Sequence, residues 1–183
     1  MTTTKKIIVR LACATVLGTA GVALTQVNRP QTAVVNAATT SVAARALGVD
    51  VASYQNADLS SHAQAGAQFA IVKVSEGTSY RNPKASSQIS TALSNNMMPM
   101  AYHFATFSSN ASAAAAEANY AIQTAQAFGL PKGSYIACDY ETGSGNNIYG
   151  GKTPTANAII AFMDTIKNAG YKPLLYALSL IHI

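Results

Sequence analysis

The chain lacks tryptophan altogether, has two cysteines (Cys13 and Cys138) and carries only seven acidic residues among 183. Two cysteines cannot frame a small fold, which excludes a disulfide-stapled mini-protein. Charged residues make up 10% and apolar ones 49%, which excludes a disordered acidic or basic polymer. Beyond the N-terminus there is no extended apolar run, so a protein crossing a membrane several times is excluded too. The net charge of +5 is unevenly placed: Lys5, Lys6, Arg10 and Arg29 precede residue 37, and beyond them eight basic residues face seven acidic ones. That near-balance gives no electrostatic case for nucleic acid. No Gly-rich phosphate loop follows the first strand-like run, where the residues are DVASYQN, and no His, Cys, Asp or Glu cluster has ligand spacing. Neither a nucleotide cofactor nor a metal is therefore expected.

What is present begins with a leader. Basic MTTTKKIIVR is followed by apolar LACATVLGTAGVALTQV and a polar stretch ending VVNAATT. Val35 and Ala37 suit the positions three and one before a cleavage site, so residues 1–37 read as a secretory signal peptide and 38–46 as a short linker. The apolar run of 17 residues is shorter than the ~20 a membrane helix needs, so no stable membrane insertion is expected after cleavage. Arg10 occupies a place where lipidation at Cys13 would want an apolar residue. With the leader removed Cys138 stands alone, and its apolar surroundings in SYIACDYE predict a buried, inert thiol.

Residues 47–183 alternate strand-like and helical patterns. LGVDVA (47–52), FAIVKVS (69–75), MPMAYHF (98–104), SYIACDYE (134–141) and KPLLYA (172–177) are five apolar runs. Between them lie helical stretches: one after Asp58, a plausible cap, and one after Asn82-Pro83 with Ala85, Ile89, Ala92 and Leu93 at helical spacing. A third runs from about Ser109 to Phe128, and a fourth is capped by Thr153 with Ile159, Phe162, Met163 and Ile166 inward. Crossovers of that length make the strands parallel, so the fold class is α/β. An open doubly wound sheet and a β/α barrel both fit the pattern. A full eight-stranded barrel takes at least ~200 residues, and only 138 run from Ala46 to Ile183. The reading is therefore a modified, TIM-like (β/α) barrel that is incomplete, with about five strands. LSLIHI, which follows with no cap or turn, strengthens the expectation of a C-terminal truncation that leaves the chain aggregation-prone.

In such folds chemistry gathers at the C-terminal ends of strands. Asp50 lies near the end of the first run, Glu76 just past the second, and Asp139 and Glu141 at the end of the fourth. Residues two apart on a strand share a face, with Cβ atoms roughly 6.6 Å apart. Two carboxyls so placed repel when ionised, which raises one pKa, and an acid beside a carboxylate is the minimum equipment for cleaving a glycosidic bond. D-x-E alone usually marks two solvated acids. Tyr54, Tyr102, Tyr140 and Tyr176 offer sugar-stacking faces, though each could equally be core or rim. His103 adjoins the same mouth, while His62 falls on a helix and reads as solvated.

GVDVASYQ, FAIVKVSEGTSYRNP, MAYHF and YIACDYE, in this order and spacing, resemble the glycoside hydrolase family 25 lysozymes, which are secreted N-acetylmuramidases built on a modified β/α barrel. The resemblance runs from about Leu47 to Ala177. It implies that Glu141 is the general acid, that Asp139 helps the substrate's N-acetyl group act as internal nucleophile, and that Asp50 lines the cleft. Tyr54, Tyr102, His103, Tyr176 and Glu76 are then candidates for substrate binding, peptidoglycan glycan strands the partner, and the cell wall outside the membrane the location. The chain departs from the family in having neither tryptophan nor an acid after Asp164, where further cleft residues are expected. A chitinase-type enzyme would want acids where Ser134 and Ala137 stand. A non-catalytic or inactive wall-binding protein is the remaining alternative.

Overall fold

The computed structural model describes residues 41–177. The leader with Cys13, residues 38–40 of the linker and the tail after Ala177 lie outside the described residues. Within them runs a sheet of parallel strands in the order β1 (Gly48–Val51), β2 (Phe69–Glu76), β4 (Met98–Phe104), β5 (Tyr135–Tyr140) and β6 (Lys172–Ala177). The short β3 (Tyr80–Arg81) folds back antiparallel on the end of β2. The four helices are α1 (Ser60–Gln64), α2 (Ala85–Ser94), α3 (Ala111–Ala127) and α4 (Lys152–Asn168). The five runs of the sequence are thus five parallel strands, and β3 is an addition. Among the described residues β1 and β6 are the two ends of the sheet, which is open and not closed into a barrel. No described helix is long and apolar enough to cross a membrane.

Alternation along the strands separates the two faces. Ala70, Val72 and Val74 of β2, Ala101 and His103 of β4, and Ile136, Cys138 and Tyr140 of β5 are all fully buried. They meet the inner stripes of α2, α3 and α4, where Ile89, Ala118, Ala121, Phe162 and Ile166 form one core with them. Small alanines at Ala114, Ala118, Ala121 and Ala125 let α3 lie close against α4. The other face is concave and only partly covered. Phe69, Met98, Met100 and Tyr135 line a hollow of about 430 Å³ at its lower end. Leu174, Leu175 and Tyr176 of β6 remain 39%, 38% and 51% exposed.

Three helix starts differ from the sequence expectation. Asp58 accepts from the Ser60 N–H at 2.8 Å, but Leu59 occupies the cap position, so its carboxylate closes a turn one residue early. Asn82 accepts from the Lys84 N–H at 3.0 Å and is wholly buried, with its amide on the Lys73 carbonyl and on Gln88. It locks the β2-to-α2 connection, and Lys84 holds the cap position. Gly151 begins α4 in place of Thr153, with no side-chain cap bond. By contrast Asn110 caps α3 as its side chain type prefers, accepting from the Ala113 N–H at 3.0 Å.

Candidate active site

At the C-terminal ends of the strands the concave face opens into a cleft of about 580 Å³ that takes Asp50 from β1, Lys73 and Glu76 from β2, Tyr102 and Phe104 from β4, and Asp139 and Glu141 from β5 and its exit. Tyr54 and Tyr80 stand at its rim. A neighbouring hollow of about 330 Å³ shares Asp50, Tyr102, Asp139 and Glu141 and continues over Leu174 and Tyr176. Asp139 and Glu141 therefore do open into one space, as the two-residue period predicts. The sheet also brings Asp50, Glu76, Tyr54, Tyr102 and Tyr176 to that space.

His103 is the exception and a correction. It lies on β4 between Tyr102 and Phe104, so the pleat that sends those two into the cleft sends its ring to the helices. There it is fully buried, with Nδ1 at 2.8 Å from Ser75 Oγ and Nε2 at 2.9 Å from Glu117 Oε2. Tyr140 is likewise core, and its hydroxyl donates to the Ser108 carbonyl at 2.8 Å. Cys138 is a buried free cysteine whose thiol is pushed up by burial, as an inert packing residue should be.

Asp139 is only 8% exposed, and its Oδ1 has no hydrogen-bond partner among the described residues. Burial pushes its carboxyl up to about 7, with the Glu141 charge adding to the rise and the Lys73 ammonium opposing it. Asp50 is also raised by burial. Burial acts on Glu76 in the same sense, but the hydrogen bonds of Lys73 and Ser144, with the Lys73 charge, outweigh it and leave Glu76 below its ordinary value. Burial and the nearby Asp50 and Asp139 keep the Tyr102 phenol neutral far above its usual range.

The loop after Glu141 is tied down by residues that sequence reasoning missed. Asn146, 6% exposed, donates to the Glu141 carbonyl at 2.8 Å and accepts from the Ser108 N–H at 2.8 Å. With Tyr140 on the Ser108 carbonyl, the backbone is held on both sides of Glu141. Gly143, at φ +140°, passes under the Phe104 ring, where a Cβ would come within 3.1 Å. Lys73 was missed as well, although a single lysine inside the apolar run FAIVKVS is a visible signal.

The family model Glycosyl hydrolases family 25 matches residues 49–180. Among curated relatives, a lysozyme of Lactococcus phage mv1 is 40% identical over 132 residues, which is 71% of this chain and 64% of that protein. The modular Cpl-1 endolysin, solved in complex with a peptidoglycan analogue, superimposes with a TM-score of 0.57 at 32% identity, covering 70% of this chain and 35% of that one. A family 25 glycosyl hydrolase from Bacillus anthracis gives 0.59 at 25% identity, over 75% and 63% of the two chains. The chain thus spans less than two thirds of the length of these relatives. With the parallel sheet, the order of its motifs and the carboxylate-lined cleft all in agreement with that match, the chain belongs to the glycosyl hydrolases family 25.

Proposed function

We propose that this protein is a peptidoglycan muramidase that hydrolyses the β-1,4 bond between N-acetylmuramic acid and N-acetylglucosamine. The observation that carries the reading is the convergence of Asp139 and Glu141 on one cleft, with Asp139 Oδ1 buried and unpartnered. Glu141 protonates the departing oxygen and later takes a proton from water. Asp139 accepts the acetamido N–H of the muramic residue, and its orphaned oxygen suits that donor. The acetamido oxygen then attacks the anomeric carbon from the face opposite the leaving group, the substrate-assisted variant of the retaining scheme. Asp50 and Glu76 line the sugar path, and Tyr54, Tyr102 and Tyr176 offer ring faces along it. The peptidoglycan analogue bound by the Cpl-1 endolysin supports this choice of substrate. The test is release of muramic reducing ends from purified wall by the parent protein and by its Glu141→Gln variant.

The leader adds a location to the proposal: the protein is exported and acts on the wall from outside the membrane. N-terminal sequencing of exported material is expected to start at Ala38 or Thr39. A membrane-bound form beginning at Met1 would replace the signal reading with an anchor.

A further inference from the structure

Lys73 is the single basic side chain among the residues lining the cleft, and four carboxylates share that cleft with it. Its place is fixed from several sides. Nζ lies 2.6 Å from Glu76 Oε2. It also stands 4.9 Å from the centre of the Phe104 ring and 5.4 Å from that of Tyr80, so the ammonium is stacked as well as paired. Both partners of the ion pair reach the cleft because β2 shifts register between Lys73 and Ser75. In a regular strand, residues three apart would face opposite ways. The irregularity is held from behind, where Ser75 Oγ meets the buried His103 ring at 2.8 Å. Glu76 is tied in turn to Ser144, in the loop that follows Glu141.

We propose that Lys73 is a positioning residue: held in the cleft by Glu76 and the two rings, its ammonium is the counter-charge to the carboxylates among which Asp139 works. The role of Asp139 in the reaction is that of the proposed function, and this inference rests on it. Asp139 must be ionised to accept the acetamido N–H and to stabilise the positive charge that develops as the acetamido oxygen attacks. The titratable groups that share the cleft or the adjoining hollow with it are Asp50 from β1, Tyr54 after it, Lys73 and Glu76 from β2, Tyr80 from β3, Tyr102 from β4, Glu141 beyond β5 and Tyr176 from β6. Among these groups the other carboxylates oppose ionisation and Lys73 is the one cation that favours it. Lys73 lowers the Asp139 pKa, whereas burial and the charges of Glu141, Asp50 and Glu76 raise it.

The signature is a pair of shifts of opposite sign. Carboxyl carbon NMR of the full chain labelled in aspartate, with the Asp139 signal assigned from Asp139→Asn, reads the titration directly. Lys73→Gln is expected to move the Asp139 midpoint up by about 0.5–1 pH unit, and Glu76→Gln to move it down by a smaller amount. Lys73→Arg, which keeps the charge, should leave it within about 0.3 unit. Shifts of the same sign, or none, in Lys73→Gln and Glu76→Gln would overturn the proposal. If Lys73→Gln does not fold, Glu76→Gln and Lys73→Arg decide it alone: an unmoved midpoint in Glu76→Gln, or a large rise in Lys73→Arg, overturns it. The acid limb of wall hydrolysis should follow each midpoint. Midpoints that move in opposite senses while the activity profile stays fixed would support the Lys73 coupling and count against Asp139 as a group of the reaction.

Discussion

Glu141→Gln is expected to lower release of muramic reducing ends by about 10²–10⁴-fold relative to the parent protein, the range general acid catalysis supplies. The amide has nearly the shape of the carboxyl but cannot donate the proton that the departing sugar oxygen needs. The surrounding loop should survive the change, because Asn146 holds the Glu141 backbone through its carbonyl and not through the side chain. Wall binding should therefore persist while turnover disappears, so the loss falls on kcat. A variant with near-parental turnover would remove Glu141 from the role of acid.

His103→Ala is expected to act on stability and not on substrate. Glu117 is 4% exposed and takes one of its contacts from the His103 ring at 2.9 Å. Its others come from Thr106, whose N–H lies at 2.9 Å and hydroxyl at 2.6 Å. Removing the ring strips a buried acid of one partner, frees Ser75 Oγ, and leaves a void beside Phe162, whose ring centre lies 5.5 Å away. Breaking a buried pair in this way costs on the order of 3–5 kcal/mol, and the lower end applies here because Thr106 still serves Glu117. A fall in Tm of about 10 °C follows for a domain of this size. The fraction that remains folded should still hydrolyse wall, with any loss traceable to the freed Ser75 and the β2 irregularity that sets Lys73 and Glu76, as read by comparing activity per folded molecule with the melting curve. Unchanged Tm with lost activity would put His103 back at the cleft.

Much of this site is legible in the sequence, because it follows from the strand period. Asp139 and Glu141 are two apart, and parallel strands send their C-terminal ends to one rim, so their convergence with Asp50 needed only the pattern of apolar runs. The same rule, applied to Tyr102-His103-Phe104, assigns His103 to the opposite face. Its nearness in sequence to the mouth was misleading. Lys73 keeps the same period, on the face of Phe69 and Ile71, and Glu76 falls at the rim, just past the second apolar run. What lies beyond the rule is their pairing, because the shift of register after Lys73 that turns Glu76 to the same side depends on what packs behind β2. Asn146 is beyond it too. A Gly/Asn-rich loop announces a turn, but which of its polar side chains reaches back to the Glu141 carbonyl is decided by Ser108 on a different element. The short β3 and the shifted cap of α4 belong to the same class of local detail.

The central claim is that Asp139 and Glu141 work as a pair through the substrate's own acetamido group. It is tested most directly by the anomer that first appears at the new muramic reducing end, followed by proton NMR during the opening minutes of digestion of short glycan strands. Attack by the acetamido oxygen and then by water inverts the anomeric carbon twice, so the β anomer should appear first and decay towards equilibrium by mutarotation. First appearance of the α anomer would mean a single displacement by water, and would contradict the part assigned to Asp139.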